Sequence, residues 1–297
     1  TLFSGTGSLN LDAQQVSMAS QRMTAATSAD FAINATQGHL TTSSNGSLPA
    51  QASSGLGAKL GLNAQSMTLA GNIELLSGQI KATATQGNLN VVSGARLNAA
   101  GKAVSFDKYT AYTPAGLIAL QANQGNIAVD AGAGLYVNGG AGGNAGTISM
   151  TAQHGQVSVA EGTLHGQAGA GMSGGSFVLD SATMQSFSTL NAALNAGGFD
   201  ANRNLRLRQG DLQIAATDSV KASNITLSTD NGSIDIAGVL DASGARGGKV
   251  KVYAKNDLTL RTGSQVLAKA ESAGGKGGEI LLSAETGEVK AEVLDGS

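Results

Sequence analysis

The 297-residue chain has no cysteine, no tryptophan and only 2 prolines, and aromatic residues make up 3% of it. Without cysteine there can be no disulfide, no thiolate nucleophile and no cysteine-ligated zinc. For an exported chain the same absence has a mechanical meaning, because an oxidising compartment would otherwise lock loops before an unfolded chain had crossed an outer membrane. Scarce proline and a charged fraction of 13% argue against disorder. No apolar run approaches the roughly 18 residues that a membrane helix needs, so the chain is not expected to span a membrane. Charge of one sign is also lacking. With 18 basic and 20 acidic residues the net charge is −2, and nothing steers the chain toward nucleic acid or an anionic membrane. The sequence opens at Thr1 with no charged and apolar signal region, as expected of a processed product or an excised piece.

What the chain has in quantity is glycine, 43 residues, about twice the average usage. The glycines do not fall at every third position, which excludes collagen. Instead they punctuate a recurring phrase, in which a polar pair and a glycine precede a polar residue and then an apolar-polar-apolar triplet. It reads Thr85-Gln86-Gly87-Asn88-Leu89-Asn90-Val91, Asn123-Gln124-Gly125-Asn126-Ile127-Ala128-Val129, Gln153-His154-Gly155-Gln156-Val157-Ser158-Val159, Arg208-Gln209-Gly210-Asp211-Leu212-Gln213-Ile214 and Asp230-Asn231-Gly232-Ser233-Ile234-Asp235-Ile236. Each phrase is a turn followed by a strand whose two aliphatic side chains share a face. The glycines Gly87, Gly125 and Gly232 are expected at positive φ, the conformation a tight turn most often demands of glycine. One such unit cannot bury its apolar face alone, whereas stacked copies can, which is the logic of a solenoid.

Further triplets lie between the phrases, among them Ile148-Ser149-Met150, Phe177-Val178-Leu179, Ile225-Thr226-Leu227, Val250-Lys251-Val252 and Leu258-Thr259-Leu260. Two or three short strands with their turns make one coil of roughly 20 residues, so about 14 coils and a rod on the order of 65 Å are expected. The fold class is therefore all-β, a parallel β-helix formed as one continuous body over residues 1–297. Ile127, Val129, Ile148, Met150, Val157, Val159, Ile234, Ile236, Val250 and Val252 should point into one interior.

Two stretches break the pattern. Residues 101–117 hold Phe106, Lys108, Tyr109, Tyr112 and Pro114 but no strand triplet, and are expected to be an irregular loop. Residues 181–208 place Met184, Phe187, Leu190 and Leu194 at helical spacing, stop at Gly197-Gly198, and continue into Arg203, Arg206 and Arg208. A short helix or compact loop is expected there as a lateral insertion lying outside the β-helix, with the three arginines partly exposed. Charge shifts at the same place: residues 1–199 hold few charged side chains, and most of the chain's acids and bases fall after them.

The phrases Leu240-Asp241-Ala242-Ser243-Gly244-Ala245-Arg246-Gly247-Gly248-Lys249-Val250-Lys251-Val252 and Gly277-Gly278-Glu279-Ile280-Leu281-Leu282-Ser283-Ala284, with the repeated turn and triplet, resemble the shaft repeats of filamentous haemagglutinin-like exoproteins. The segment from Phe187 to Phe199 is similar to part of the same large exoproteins. The resemblance implies a right-handed parallel β-helix, a location outside the cell or on the bacterial outer surface, and adhesive or effector-presenting roles. It also implies two-partner secretion through an outer-membrane transporter, although the module such a transporter recognises is not identifiable in this chain. A host-surface or glycan ligand is the implied partner.

Parallel β-helices also include polysaccharide lyases and glycosidases, so a carbohydrate-active enzyme is the alternative. That chemistry needs a close carboxylate pair, or acidic calcium ligands with a basic proton acceptor. Its candidates are Asp230 with Asp235, and Asp200 beside Arg203 and Arg206. None makes a dense acidic groove, and no catalytic residue is assigned. His39, His154 and His165 lack metal-ligand spacing. The glycines from Gly169 to Gly174 match a dinucleotide pattern literally, but a strand follows where a helix is required. No cofactor or metal is expected. The residues best placed for a contact surface are Arg203, Arg206 and Arg208, which could meet an acidic partner through forked hydrogen bonds, together with Tyr109 and Tyr112.

Overall fold

A computed structural model describes residues 2–46 and 55–292; Thr1 lies outside the described residues. The chain winds as a parallel β-solenoid of about 11 turns, with one short helix. Each complete coil contributes strands to three faces. The first face runs unbroken from Thr6–Asn10 through Gln79–Ala84, Leu117–Ala122, Ser176–Met184 and Asn202–Leu207 to Glu279–Ala284, every pairing parallel. The second face carries the strands that follow the glycine phrases, such as Leu89–Val91 and Ile127–Val129. The third carries short strands such as Asn72–Glu74, Arg96–Asn98 and Gly134–Tyr136.

The alternation visible in the triplets sets which side chains go inside. Lys249–Ala254 buries Val250, Val252 and Ala254 and turns Lys249, Lys251 and Tyr253 outward. Because successive coils pair in register, like positions stack: Ile80, Ile118, Ile148 and Phe177 form one interior column and Ala82, Leu120, Met150 and Leu179 another. All ten residues expected inside are buried and belong to one continuous core. At about 1.5–3 kcal/mol for each fully buried aliphatic side chain, these columns dominate the folding free energy.

Two expectations about coil geometry are corrected. The stack has about 11 coils rather than 14, because one coil takes from 20 residues, between the paired Ala64 and Ala84, to 38, between the paired Ile80 and Ile118. The extra residues sit at corners and project sideways without lengthening the rod. The phrase glycines Gly87, Gly125 and Gly232 also do not have positive φ; of the five phrases quoted above, only the one at Gly210 has it. At Gly87 a Cβ would press on the Ser66 side chain, and at the other corners glycine is needed because they stack backbone on backbone. A Cβ on Gly125 would run into the carbonyl of Gly87, one on Gly155 into the carbonyl of Gly125, and one on Gly232 into the carbonyl of Gly210.

Residues 101–117 are ordered rather than irregular. Ala103–Phe106 and Tyr109–Tyr112 form an antiparallel hairpin through a two-residue turn in which Asp107 takes φ 48°. Alternating Val104 and Phe106 meet alternating Ala111 and Tyr109 across it, a pairing pattern that fixes the register.

The helix spans Phe187–Ala196. Ser186 caps it, its hydroxyl accepting from the Thr189 amide at 3.2 Å, and Gly198 at φ 75° turns the chain out. Phe187, Leu190 and Leu194 are buried as expected, and so is Ala193. The helix does not lie on the outside, however. It takes the place of the third-face strand in its coil, between Leu164–His165 and Ser219–Lys221. The Gly166 amide donates to the Gly197 carbonyl at 2.6 Å on one side, and the Asn191 and Asn195 side-chain amides donate to the Ser219 carbonyl at 3.2 and 2.9 Å on the other. A helix is about 10 Å across with its side chains, while stacked strands are about 4.8 Å apart. Fitting it into the wall parts the third face into sheets of six and three strands, and the four-stranded sheet beginning at Leu212–Ile214 is likewise separate from the second-face strands before it.

Candidate contact surfaces

The hairpin carries large apolar side chains outside the core. Its cross-strand pairs place Val104, Phe106, Tyr109 and Ala111 on one face and Ala103, Ser105, Thr110 and Tyr112 on the other. The Tyr112 ring rests on the body of the solenoid, so close to Gly142 that a methyl group there would overlap it. The opposite face therefore looks outward, with Phe106 61% and Tyr109 80% exposed. The base is clamped by Thr113, whose amide donates to the Lys102 carbonyl at 2.9 Å and whose hydroxyl is 2.6 Å from that of Ser77. The tyrosines named from sequence thus serve different ends: Tyr109 is presented to solvent and Tyr112 braces the hairpin.

The three arginines separate even more sharply. Arg203 is buried; it is 1% exposed and occupies an interior column between Phe177 and Ile225. Its Nε donates to the Phe199 carbonyl at 2.7 Å, Nη1 to Asn191 Oδ1 at 2.9 Å and Nη2 to Asn195 Oδ1 at 2.8 Å. Burial pushes its pKa down to about 10, with nearby Asp200 acting in the opposite sense, so the group remains charged at neutral pH. The alternation Arg203, Leu205, Leu207 had carried the signal: the first arginine sits in the apolar phase of its strand. Arg206 and Arg208 do face outward, but both forks are engaged within the chain. Arg206 holds Asp230 at 2.8–3.1 Å, and Arg208 holds Asp180 at 2.6 and 2.9 Å. The hydrogen bond from Arg208 keeps the Asp180 carboxyl below its ordinary value.

Of the carboxylates weighed for catalysis, Asp200 lies near Arg203 and opposes the lowering of its pKa by burial, and Asp230 and Asp235 are likewise committed. Asp230 is taken by Arg206, and Asp235 accepts from Arg261 Nε at 2.9 Å. His39 Nδ1 lies 2.7 Å from the Ser66 hydroxyl, and His154 Nδ1 2.9 Å from the Asn123 carbonyl. Among the described residues no group of three or more His, Asp or Glu could hold a metal ion, and no helix is long and apolar enough to cross a membrane. One further cluster escaped sequence reasoning. On the third face Tyr136 and His165 stack at 4.3 Å with rings 5° from parallel, and the Arg96 guanidinium sits 3.8 Å from the Tyr136 ring centre. Burial, and then Arg96, lower the His165 pKa. Only the coil register brings these residues together, since Tyr136 pairs with His165 and Gly134 with Arg96.

The chain matches no protein-family model, no curated protein and no solved structure.

Proposed function

We propose that this chain is a rigid shaft segment of a secreted bacterial surface exoprotein of the filamentous haemagglutinin-like kind, exported by two-partner secretion and acting in adhesion. The observation that carries the reading is the pairing of one unbroken apolar interior with an outer wall of hydroxyl and amide groups and ion pairs, from which a clamped hairpin presents Phe106 and Tyr109. A solenoid whose coils contact only their neighbours suits the holding of a contact element at a fixed place along a rod. In this reading the hairpin meets a host-surface or glycan ligand, and the arginines, being internally paired, serve the rod.

The test is attachment of beads coated with the purified chain to epithelial cells. A Phe106→Ser, Tyr109→Ser double variant should lower attachment at least fivefold while the thermal midpoint stays within a degree or two, because exposed positions contribute little to stability. Wild-type beads at the background of uncoated beads would remove the adhesive half of the reading and leave a spacer. Release of reducing or unsaturated ends from polysaccharide would replace it with the carbohydrate-active alternative.

A further inference from the structure

The inserted helix leaves an opening in the wall, and it is on the second face, not the third. The first-face strands on either side of it pair in register, and the Arg208 and Gln209 amides still donate to Ser181 and Ala182. Beyond that point the two coils part. Thr183 and Met184 pair backwards with Gln156 and Val157, after which the chain leaves for the helix cap at Ser186. Leu212–Ile214 pairs forwards with Ile234–Ile236 and has no strand on its other side. Between them lies a cleft of about 400 Å³, lined by Thr183–Ser188 on one wall and by Leu207, Gln209–Gln213 and Ala215 on the other.

Two independent features mark this as a missing strand position. The column of stacked corner glycines is broken here: a Cβ on Gly232 would strike Gly210, but a Cβ on Gly210 would meet nothing within 4 Å. The backbone of the edge strand also points the right way. The Leu212 amide donates forwards to the Ser233 carbonyl, and the Ile214 carbonyl accepts from the Ala237 amide. By the alternation of a parallel ladder, the N–H and C=O of Gln213 face backwards into the cleft. The width fits as well, since a helix of about 10 Å spans two strand spacings of about 4.8 Å, so the separation it imposes leaves room on the neighbouring face for one strand. Gln185, Gln209 and Gln213 line the cleft with exposed side chains that make no hydrogen bond within the described residues, and buried Phe187, Leu207 and Leu212 form its floor.

We propose that this slot binds an extended peptide segment of another polypeptide, which enters as an added strand against Gln213 with its alternate apolar side chains on the Phe187, Leu207 and Leu212 floor. Strand addition draws affinity from main-chain hydrogen bonds, and a cleft of this size lies within the range of binding pockets. The free carboxamides supply both donors and acceptors to a peptide backbone, and the slot carries little charge, so the fitting segment is uncharged.

The experiment is titration of the isotope-labelled full chain with a blocked, uncharged pentapeptide alternating threonine and valine, followed by amide NMR. The expected result is saturable shifts confined to 183–188 and 209–215, weakened at least tenfold by N-methylation of alternate peptide nitrogens. Gln213→Pro should abolish them while leaving the rest of the spectrum in place, because it removes only the N–H that faces the slot. Absence of saturable shifts up to millimolar peptide overturns the proposal, as does binding that N-methylation or Gln213→Pro leaves unchanged. Tighter saturation of the same amides by cellohexaose than by the peptide would also overturn it, by making the cleft a saccharide site. None of these outcomes depends on the adhesion assay, whose result rests on the hairpin.

Discussion

The coils before the helix and those after it solve the same corner in two chemistries. Before it, the residue following the turn glycine is an amide whose oxygen caps the next coil: Asn88 Oδ1 accepts from the Asn126 amide at 2.9 Å, and Asn126 Oδ1 from the Gln156 amide at 2.7 Å. After it, carboxylates do this work. Asp211 Oδ1 accepts from the Ser233 amide at 2.7 Å and Asp257 Oδ1 from the Glu288 amide at 3.0 Å. The outer faces follow suit, with an asparagine ladder of Asn10, Asn34 and Asn63 early and ion pairs such as Arg206–Asp230, Arg261–Asp235 and Lys290–Asp257 late. Coil geometry is thus indifferent to whether the capping group is neutral or ionised. Its response to pH and salt is not.

The largest effect should come from cutting the junction between the two regions. Arg203→Ala leaves the buried Phe199 carbonyl and Asn191 Oδ1 without their donor, at about 1–3 kcal/mol for each orphaned acceptor. Chemical denaturation should then separate into two transitions, and a single transition at the wild-type midpoint would show that the buried guanidinium does not couple the halves. Next in size is the glycine column. Gly125→Val has to push apart two stacked backbones and should cost about 3 kcal/mol, at the top of the overpacking range. Gly94→Ala, at φ 83° with open space around it, should cost only about 1–2 kcal/mol of left-handed strain. Equal losses for the two variants in urea melts would mean that close approach is not the reason for the phrase glycines.

The smallest effect sharpens the comparison most directly. The Asp257 carboxyl is held below its ordinary value of 3.8, first by the Glu288 amide and then by Lys290, and Glu292 is similarly lowered by the Thr262 amide and Arg261. A carboxyl lowered in the folded state stabilises it above the unfolded value, and that contribution is lost as pH falls through the folded value. Hydrogen exchange should therefore show the last coils, around Asp257 and Glu292, loosening as pH drops below about 3.8, while those around Asn88 and Asn126 keep their protection. Asp257→Asn should weaken that acid response at its own corner. Loosening of equal extent in both regions would mean that the carboxylate caps are not its source.

Much of this was legible in the residues. The apolar-polar-apolar triplets identified the buried side chains, because the period of a strand is a local property of the chain. The helix was readable from the spacing of Phe187, Leu190 and Leu194, and the change in charge after residue 199 foretold the two exterior chemistries. The alternation on either side of Asp107 and Lys108 also held the hairpin, but without an Asn-Gly or Asp-Gly turn to announce it.

What lay beyond the sequence depended on what each residue meets in the next coil. A turn glycine reads the same whether it is needed for positive φ or for a backbone pressed against it, and only the stacking of Gly87, Gly125 and Gly155 decides between them. Arg203 reads as a surface base until the helix delivers Asn191 and Asn195 to its guanidinium, and Arg206 and Arg208 read as free until the register sets Asp230 and Asp180 beside them. Local alternation and composition determined a stacked, apolar-cored β-solenoid. The tertiary structure alone decided which groups remain available to a partner, because availability is set by neighbours one coil away, from 20 to 38 residues along the chain.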